Sequence, residues 1–438
     1  MNYWWLNTVL TVELCVSVVA FHLIQYTAID WDAYMQEVKG FLDGELDYMK
    51  LKGDTGPLVY PSGFVWSYSA LYFITKGGVD VEMAQWLYMG MYLMVLTSVA
   101  YLYRSSGLRG RLFIRLLFTK RARSLYMFRL FNDCWAMFLL YLAVICFARG
   151  RKWTLGCLLY SMAVSVKMNI FLFAPGLFLV MCKSLPFKKV VSCLTVCALW
   201  QVLAGLPFLL ESPKSYILRS FDLGRVFTYR WTVNFKRVSE SVFVSSEFSK
   251  SLGVLVVISW IYVWICRWSK RAYRRRRDTE DGVGCGDGGE MVVGEYTGSD
   301  EDVFHNVTLT LMESNMVGVI FARSLHYQFF LWFFYIVPFV LSATRLPAVV
   351  KILAFMFIQY GFEVYPSTAT SSTFILVGFF FVWLGLEFFP VCSAKSSPKK
   401  IEEPVSDVKK RKVGVATPSA AAAVQPRLKG SGAAERVR

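Results

Sequence analysis

Long apolar runs recur along this chain, separated by short polar clusters. The spacing predicts membrane-spanning helices at about 4–27, 84–103, 109–124, 132–148, 153–166, 168–182, 190–210, 250–266, 304–322, 325–344, 346–362 and 371–391. Several are short or interrupted, so the pattern predicts about 11–13 transmembrane helices in an all-α polytopic membrane protein. Backbone in lipid must satisfy its own hydrogen bonds, and strand-sized alternation is absent. Residues 58–75 are apolar but carry Pro61 and Gly63, which fits a re-entrant or interfacial element. The first run lacks a small-residue cleavage pattern and reads as a retained helix.

Composition agrees: 55% of the 438 residues are hydrophobic, with 36 Phe, 23 Tyr and 14 Trp. Charge then orients the array. Basic clusters at 104–123, 149–152, 183–189 and 267–277 fall on one side if both termini are cytosolic. Residues 28–83 fall on the other, with nine acids against four lysines, and form a lumenal loop, as do residues 211–249. Residues 1–391 are thus one transmembrane domain, 267–303 a flexible cytosolic loop, and 392–438 a disordered basic cytosolic tail. The formal charge of +16 resides largely in span flanks and tail, which excludes a nucleic-acid reader and leaves membrane lipids as partners. No obligatory protein partner is evident. The ten cysteines and three histidines show no metal spacing, so no metal is expected. Asn306-Val307-Thr308 has glycosylation spacing but falls at the cytosolic edge of a span, where it stays unmodified.

Candidate chemistry gathers on the lumenal side. Asp30-Trp31-Asp32 follows the first apolar run, where carboxylates are tolerated and can act on a lipid-borne substrate. Asp54 sits in a Gly- and Pro-rich turn, a wall for a polar substrate beside which Tyr48 and Tyr60 can stack on sugar. Asn132 and Asp133 stand at the mouth of a span with Arg129 near enough to pair, although Asn-Asp also serves as an ordinary cap. Lys167 lies at another lumenal end. Arg219, Arg225 and Arg230 put a basic surplus in 211–249, and their forked donors suit phosphate. His326 and Tyr327 close the set, with Glu363 and Tyr365 on a further lumenal end. Such a site can transfer sugar from a lipid phosphate: a carboxylate takes the acceptor proton and cations hold the leaving phosphate. A lipid-linked glycan transporter or flippase needs a similar cavity, and a noncatalytic assembly factor is a further alternative.

The segments W-D-A-Y-M-Q-E-V, G-D-T-G-P-L-V-Y-P-S-G-F, R-L-F-N-D, A-V-S-V-K-M-N-I-F-L-F-A-P-G, G-L-P-F-L-L-E, S-F-D-L-G-R-V-F, W-T-V-N-F, H-Y-Q-F and Y-P-S-T, from about residue 20 to 370, closely resemble the eukaryotic dolichyl-phosphate-mannose-dependent α-1,3-mannosyltransferases of the asparagine-linked glycosylation pathway. The resemblance implies a glycosyltransferase class C fold in the endoplasmic reticulum membrane with its active site facing the lumen. It implies transfer of mannose from dolichyl-phosphate-mannose to Man5GlcNAc2-diphosphodolichol, giving the Man6 product; one base and a basic cradle suffice for an inverting transfer, and no cofactor is expected. The family pattern is closer to I-D-W-K-A-Y-M, so Asp30 matches its acid and Asp32 replaces a usual lysine. Asp30 is therefore the expected general base. Asp32, Asp54, Asn132, Asp133, Lys167, Arg219, Arg225, Arg230, His326 and Tyr327 are expected to bind substrate.

Overall fold

The computed structural model describes residues 4–222, 228–271, 273 and 299–388. The chain opens with α1 (Trp4–Leu23) and α2 (Trp31–Leu42), followed by a two-residue hairpin of β1 (Lys52–Gly53) and β2 (Gly56–Pro57) and by α3 (Ser62–Ile74). Next come α4 (Val81–Ser105), α5 (Gly110–Ile114), a 3₁₀ turn at Arg115–Phe118 and α6 (Lys120–Met127). The bundle continues through α7 (Asp133–Arg149), α8 (Trp153–Val166), a 3₁₀ stretch at Met168–Phe173, α9 (Ala174–Ser184), α10 (Phe187–Glu211) and α11 (Pro213–Ser220). It ends with α12 (Glu240–Phe243), α13 (Ser246–Cys266), α14 (Asp300–Ile320), a 3₁₀ stretch at Tyr327–Trp332, α15 (Val337–Ser342), α16 (Ala348–Glu363) and α17 (Ala369–Phe388).

This is an all-α polytopic membrane protein. Among the described residues, five helical stretches are long and apolar enough to cross a membrane: Leu6–Leu23, Val81–Ser105, Phe187–Glu211, Ser246–Lys270 and Ala369–Phe388. α10 and α13 expose rows of large apolar side chains, including Leu199, Leu203, Val257 and Ile261, as helices facing lipid do. α14 differs. Nearly every residue from Val303 to Ile320 is buried, so neighbouring helices rather than lipid surround it, and Glu313 is tolerated at its heart. That carboxylate is met by Arg267 at 2.9 Å, Arg271 at 2.7 Å and the Trp268 indole at 2.8 Å. Desolvated ions require such pairing. The expected flexible loop 267–303 is thus held at its start, and Ser299 and Asp302 form a capping box at its end. Residues 274–298 and the tail 392–438 lie outside the described residues. Asn306 is buried.

Helix boundaries fall close to most predicted spans, although 168–182 opens as the 3₁₀ stretch Met168–Phe173 before α9, and two segments are broken further. The segment 109–124 is broken into α5, a 3₁₀ turn and α6, and 325–344 is a 3₁₀ stretch with the short α15. Irregular backbone at membrane depth survives where protein or a polar cavity surrounds it. Both irregular segments border the same cavity.

The first loop is built onto α2. Trp31 is fully buried, its indole donating to the Gly78 carbonyl at 2.9 Å. The hairpin lies so close to α2 that a Cβ at Gly53 would stand 2.5 Å from the Ala33 carbonyl oxygen. α3 packs on α2 and α8, with Phe64 and Tyr68 stacked at 4.5 Å in the core. The apolar stretch 58–75 is therefore a packed wall behind the loop.

Candidate active site

A cavity of about 1730 Å³ opens where α1, α2, the hairpin, α6, the 3₁₀ stretches and the end of α16 converge. One part of its lining is apolar, with Ala20, Ile24, Phe128, Phe131, Phe171 and Leu172. Another is polar and charged, with Asp30, Glu37, Lys120, Arg121, Arg129, Lys167, Arg323, His326 and Tyr327 among its residues.

Asp30 is the N-cap of α2, yet its side chain makes no capping bond. It lines the cavity and accepts instead from the Tyr34 hydroxyl at 3.3 Å. Burial pushes its carboxyl above the usual carboxylate range; Lys167 and the Tyr34 hydroxyl pull it back, and the nearby Asp133 raises it. A base nearer to neutrality is better matched to taking a proton from a hydroxyl. Asp32, two residues on, is exposed and off the cavity lining. It lies in the first turn of α2, where a negative charge complements the helix dipole. Of the two acids, Asp30 alone lines the cavity.

Lys167 ends α8 in extended conformation and reaches into the cavity lining. Its ammonium donates to Asp133 at 2.7 Å and Asn132 at 2.9 Å, and lies 5.4 Å above the ring of Tyr60 and 5.3 Å above that of Phe329. Asp133 also accepts from the Trp332 indole. Asn132 and Asp133 are fully buried beneath Lys167 and off the cavity lining. They hold the cation from behind. Arg129, expected beside them, takes no part in the pair.

Several expected contacts fall elsewhere. Asp54 faces away, accepting from Gln36 Nε2 at 2.6 Å, while its neighbour Thr55 lines the cavity. Tyr48 is packed between Phe208 at 4.7 Å and Tyr216 at 4.9 Å, so only Tyr60 of the two tyrosines is available to a sugar. Arg219 points at the Met49 sulfur, 3.1 Å away, and exposed Arg230 stacks on Trp231 at 4.9 Å. Neither lines the cavity. Arg225 lies outside the described residues. The basic surplus in 211–249 thus contributes no described arginine to the site.

Besides Lys167 and Arg129, both expected at lumenal ends, the cavity is lined by Arg323 and by cations from a segment expected on the other side. Lys120, Arg121 and Arg123 are expected on the cytosolic side, but the broken α5–α6 segment brings Arg121 and Arg123 into the bundle and leaves Lys120 exposed at the cavity. Arg123 is clamped by Glu13 at 2.6 Å, which also accepts from the Tyr92 hydroxyl at 2.8 Å. Lys120 lies 3.9 Å from Glu363, and Arg121 donates to the Glu363 carbonyl at 3.3 Å while lying 5.0 Å over the Tyr327 ring. The Nε atoms of Arg121, Arg129 and Arg323 are buried without a hydrogen-bond partner among the described residues. Buried donors of this kind are costly unless something else satisfies them, and an anion in the cavity would do so. His326 stacks on Phe329 at 5.1 Å beside the same space.

Fold and site together define a multispanning membrane protein with a carboxylate, buried cations and an apolar flank in one cavity. The chain matches the family described as ALG3 protein over residues 7–372, and it belongs to that family. It is 41% identical over 373 residues, 84% of each chain, to the Dol-P-Man:Man(5)GlcNAc(2)-PP-Dol alpha-1,3-mannosyltransferase of Arabidopsis thaliana. It is 36% identical over 394 residues, 86% of each chain, to the protein of the same name from Mus musculus. Its similarity to the crystal structure of ArnT from Cupriavidus metallidurans bound to undecaprenyl phosphate has a TM-score of 0.46 and 13% identity, covering 88% of this chain and 78% of that one.

Proposed function

We propose that this chain is an inverting α-1,3-mannosyltransferase of class C type, in the endoplasmic reticulum membrane with its cavity facing the lumen. Its donor is dolichyl-phosphate-mannose and its acceptor Man5GlcNAc2-diphosphodolichol. The observation that carries this reading is the presence in one cavity of Asp30, cations with unsatisfied buried donors and an apolar flank, in a chain of the ALG3 family.

The acceptor 3-hydroxyl attacks the anomeric carbon of the donor mannose as the bond from that carbon to the phosphate oxygen breaks. Asp30 takes the hydroxyl proton, and the pair of electrons leaves with the dolichyl phosphate. Arg121, Arg129 and Arg323 hold that phosphate, with Lys120 and Lys167 adding positive charge. The leaving group is already a good anion, so neither a general acid nor a metal is required. Attack from the opposite face inverts the carbon in one displacement. Ala20, Ile24, Phe128 and Phe131 offer the lipid chain an apolar bed.

The test is conversion of lipid-linked Man5GlcNAc2 to Man6GlcNAc2 by the purified protein, dependent on dolichyl-phosphate-mannose and not on a nucleotide sugar. Product mass gives the count and linkage-specific digestion the α-1,3 bond. A flippase would move the lipid with its mannose count unchanged. Folded protein that binds both lipids and adds no mannose would end this reading.

A further inference from the structure

Glu37 has no part in the transfer just described, yet it lines the cavity. Positions 30, 34 and 37 lie one and two turns apart on α2 and share a face. The Glu37 side chain is only 4% exposed, and one of its carboxyl oxygens is buried without a hydrogen-bond partner among the described residues. An ionised carboxylate left so would be costly, while a protonated carboxyl is less so. Burial and the charge of Asp30 push the Glu37 carboxyl up to about 8. At neutral pH it is mostly the neutral acid, with an O–H donor and acceptor lone pairs. A sugar hydroxyl presents the complementary pair.

The direction of the cavity decides which sugar is met. Glu37 lies about 10 Å beyond Asp30 along α2, next to Gln36, whose side chain holds Asp54 of the hairpin. Asp30 is the end of α2 on which the Lys167 ammonium acts. The donor mannose lies between phosphate and Asp30, so the acceptor extends past Asp30 toward Glu37, beside Thr55 and Tyr60. Resting on the transferase reading, we infer that Glu37 is a specificity-determining residue of the acceptor subsite, hydrogen-bonding a glycan hydroxyl beyond the sugar that Asp30 deprotonates.

The titratable groups around Glu37 are Asp30 and Tyr34 on α2, and Tyr48 and Tyr60 from the segments packed against it. Burial holds the three tyrosines above their ordinary range, so they stay neutral through pH 8. The experiment is steady-state transfer by the full-length protein with lipid-linked Man5GlcNAc2 and dolichyl-phosphate-mannose, comparing wild type, Glu37→Ala and Glu37→Gln from pH 6.5 to about 9. Glu37→Ala should raise the acceptor KM about tenfold and leave the donor KM unchanged. Glu37→Gln keeps a donor and an acceptor and should stay within about twofold at neutral pH. The wild-type acceptor KM should climb above pH about 8, where the O–H is lost, and that climb should be absent in Glu37→Gln. An unchanged acceptor KM in Glu37→Ala, or a loss in donor KM instead, overturns the inference. So does a wild-type pH climb that persists in Glu37→Gln, which decides the matter even if the alanine variant does not fold. A wild type that adds no mannose would overturn the transferase reading itself, whereas a transferring wild type indifferent to Glu37 overturns this inference alone.

Discussion

Asp30 and Lys167 share the cavity and have opposite histories in the fold. Asp30 was legible in the sequence because an acid directly after a long apolar run must sit at an aqueous edge, and its side chain is not consumed by capping. Its raised pKa sets a sign: the base is lost as pH falls through that value, so the acid limb of kcat should lie above the ordinary carboxylate range. A pH–rate profile checks this, and a limb at or below about pH 4 would contradict it. Lys167 was legible only as a lone cation. Its partners come from residues 34 and 35 positions away, a distance that no local pattern spans. Lys167→Met should destabilise the protein by about 3–5 kcal/mol, because Asp133 would remain buried without its cation. Thermal unfolding in detergent measures that loss, and Asp133→Asn in the same background should recover part of it. Charge counts along a loop are blind to burial for a related reason. Counting charges per loop singled out Arg219, Arg225 and Arg230, while the buried, unsatisfied donors belong to Arg121, Arg129 and Arg323. Arg129→Gln should raise the donor KM about ten- to a hundredfold, and Arg230→Gln should leave it near wild type. Equal effects of the two would return the phosphate to the exposed loop.

Among the elements, α8 was predicted with its observed bounds, Trp153–Val166, and most other spans fell within a few residues. Hydropathy was sufficient there because each such helix is a regular apolar run. It was insufficient for 109–124, where the chain breaks into α5, a 3₁₀ turn and α6, and the end from Lys120 to Ser124 reaches the cavity. The rule that places basic residues in the cytosol counts charges by loop; Arg123 escapes it by pairing with the buried Glu13 inside the fold. Glu37 was hidden in the same manner, since its helical spacing from Asp30 matters only once α2 is known to lie along a cavity. The hairpin wall depends on Gly53, whose hydrogen faces backbone rather than a yielding side chain. Gly53→Ala should cost about 1–3 kcal/mol and shift Thr55 off the cavity wall. Unfolding midpoint and acceptor KM should both move; a variant unchanged in both would show that the hairpin gives way without consequence.

For the whole molecule, burial of α14 and exposure of apolar rows on α10 and α13 separate a protein core from a lipid face. The proposed orientation places residue 45 in the lumen and residue 151 in the cytosol. In closed microsomes, a single cysteine at 45 should be protected from an impermeant reagent and one at 151 labelled. The proposed mechanism holds the leaving phosphate with side chains, so activity should persist after thorough chelation; loss restored by a divalent ion would contradict that. The most direct test of the central claim, that Asp30 is the base in this cavity, is single-turnover transfer by Asp30→Asn with both lipids bound. The claim predicts a rate about 10²–10⁴-fold below wild type with donor affinity retained, while Asp32→Asn stays near wild type. An Asp30→Asn enzyme that transfers mannose at nearly the wild-type rate would contradict it.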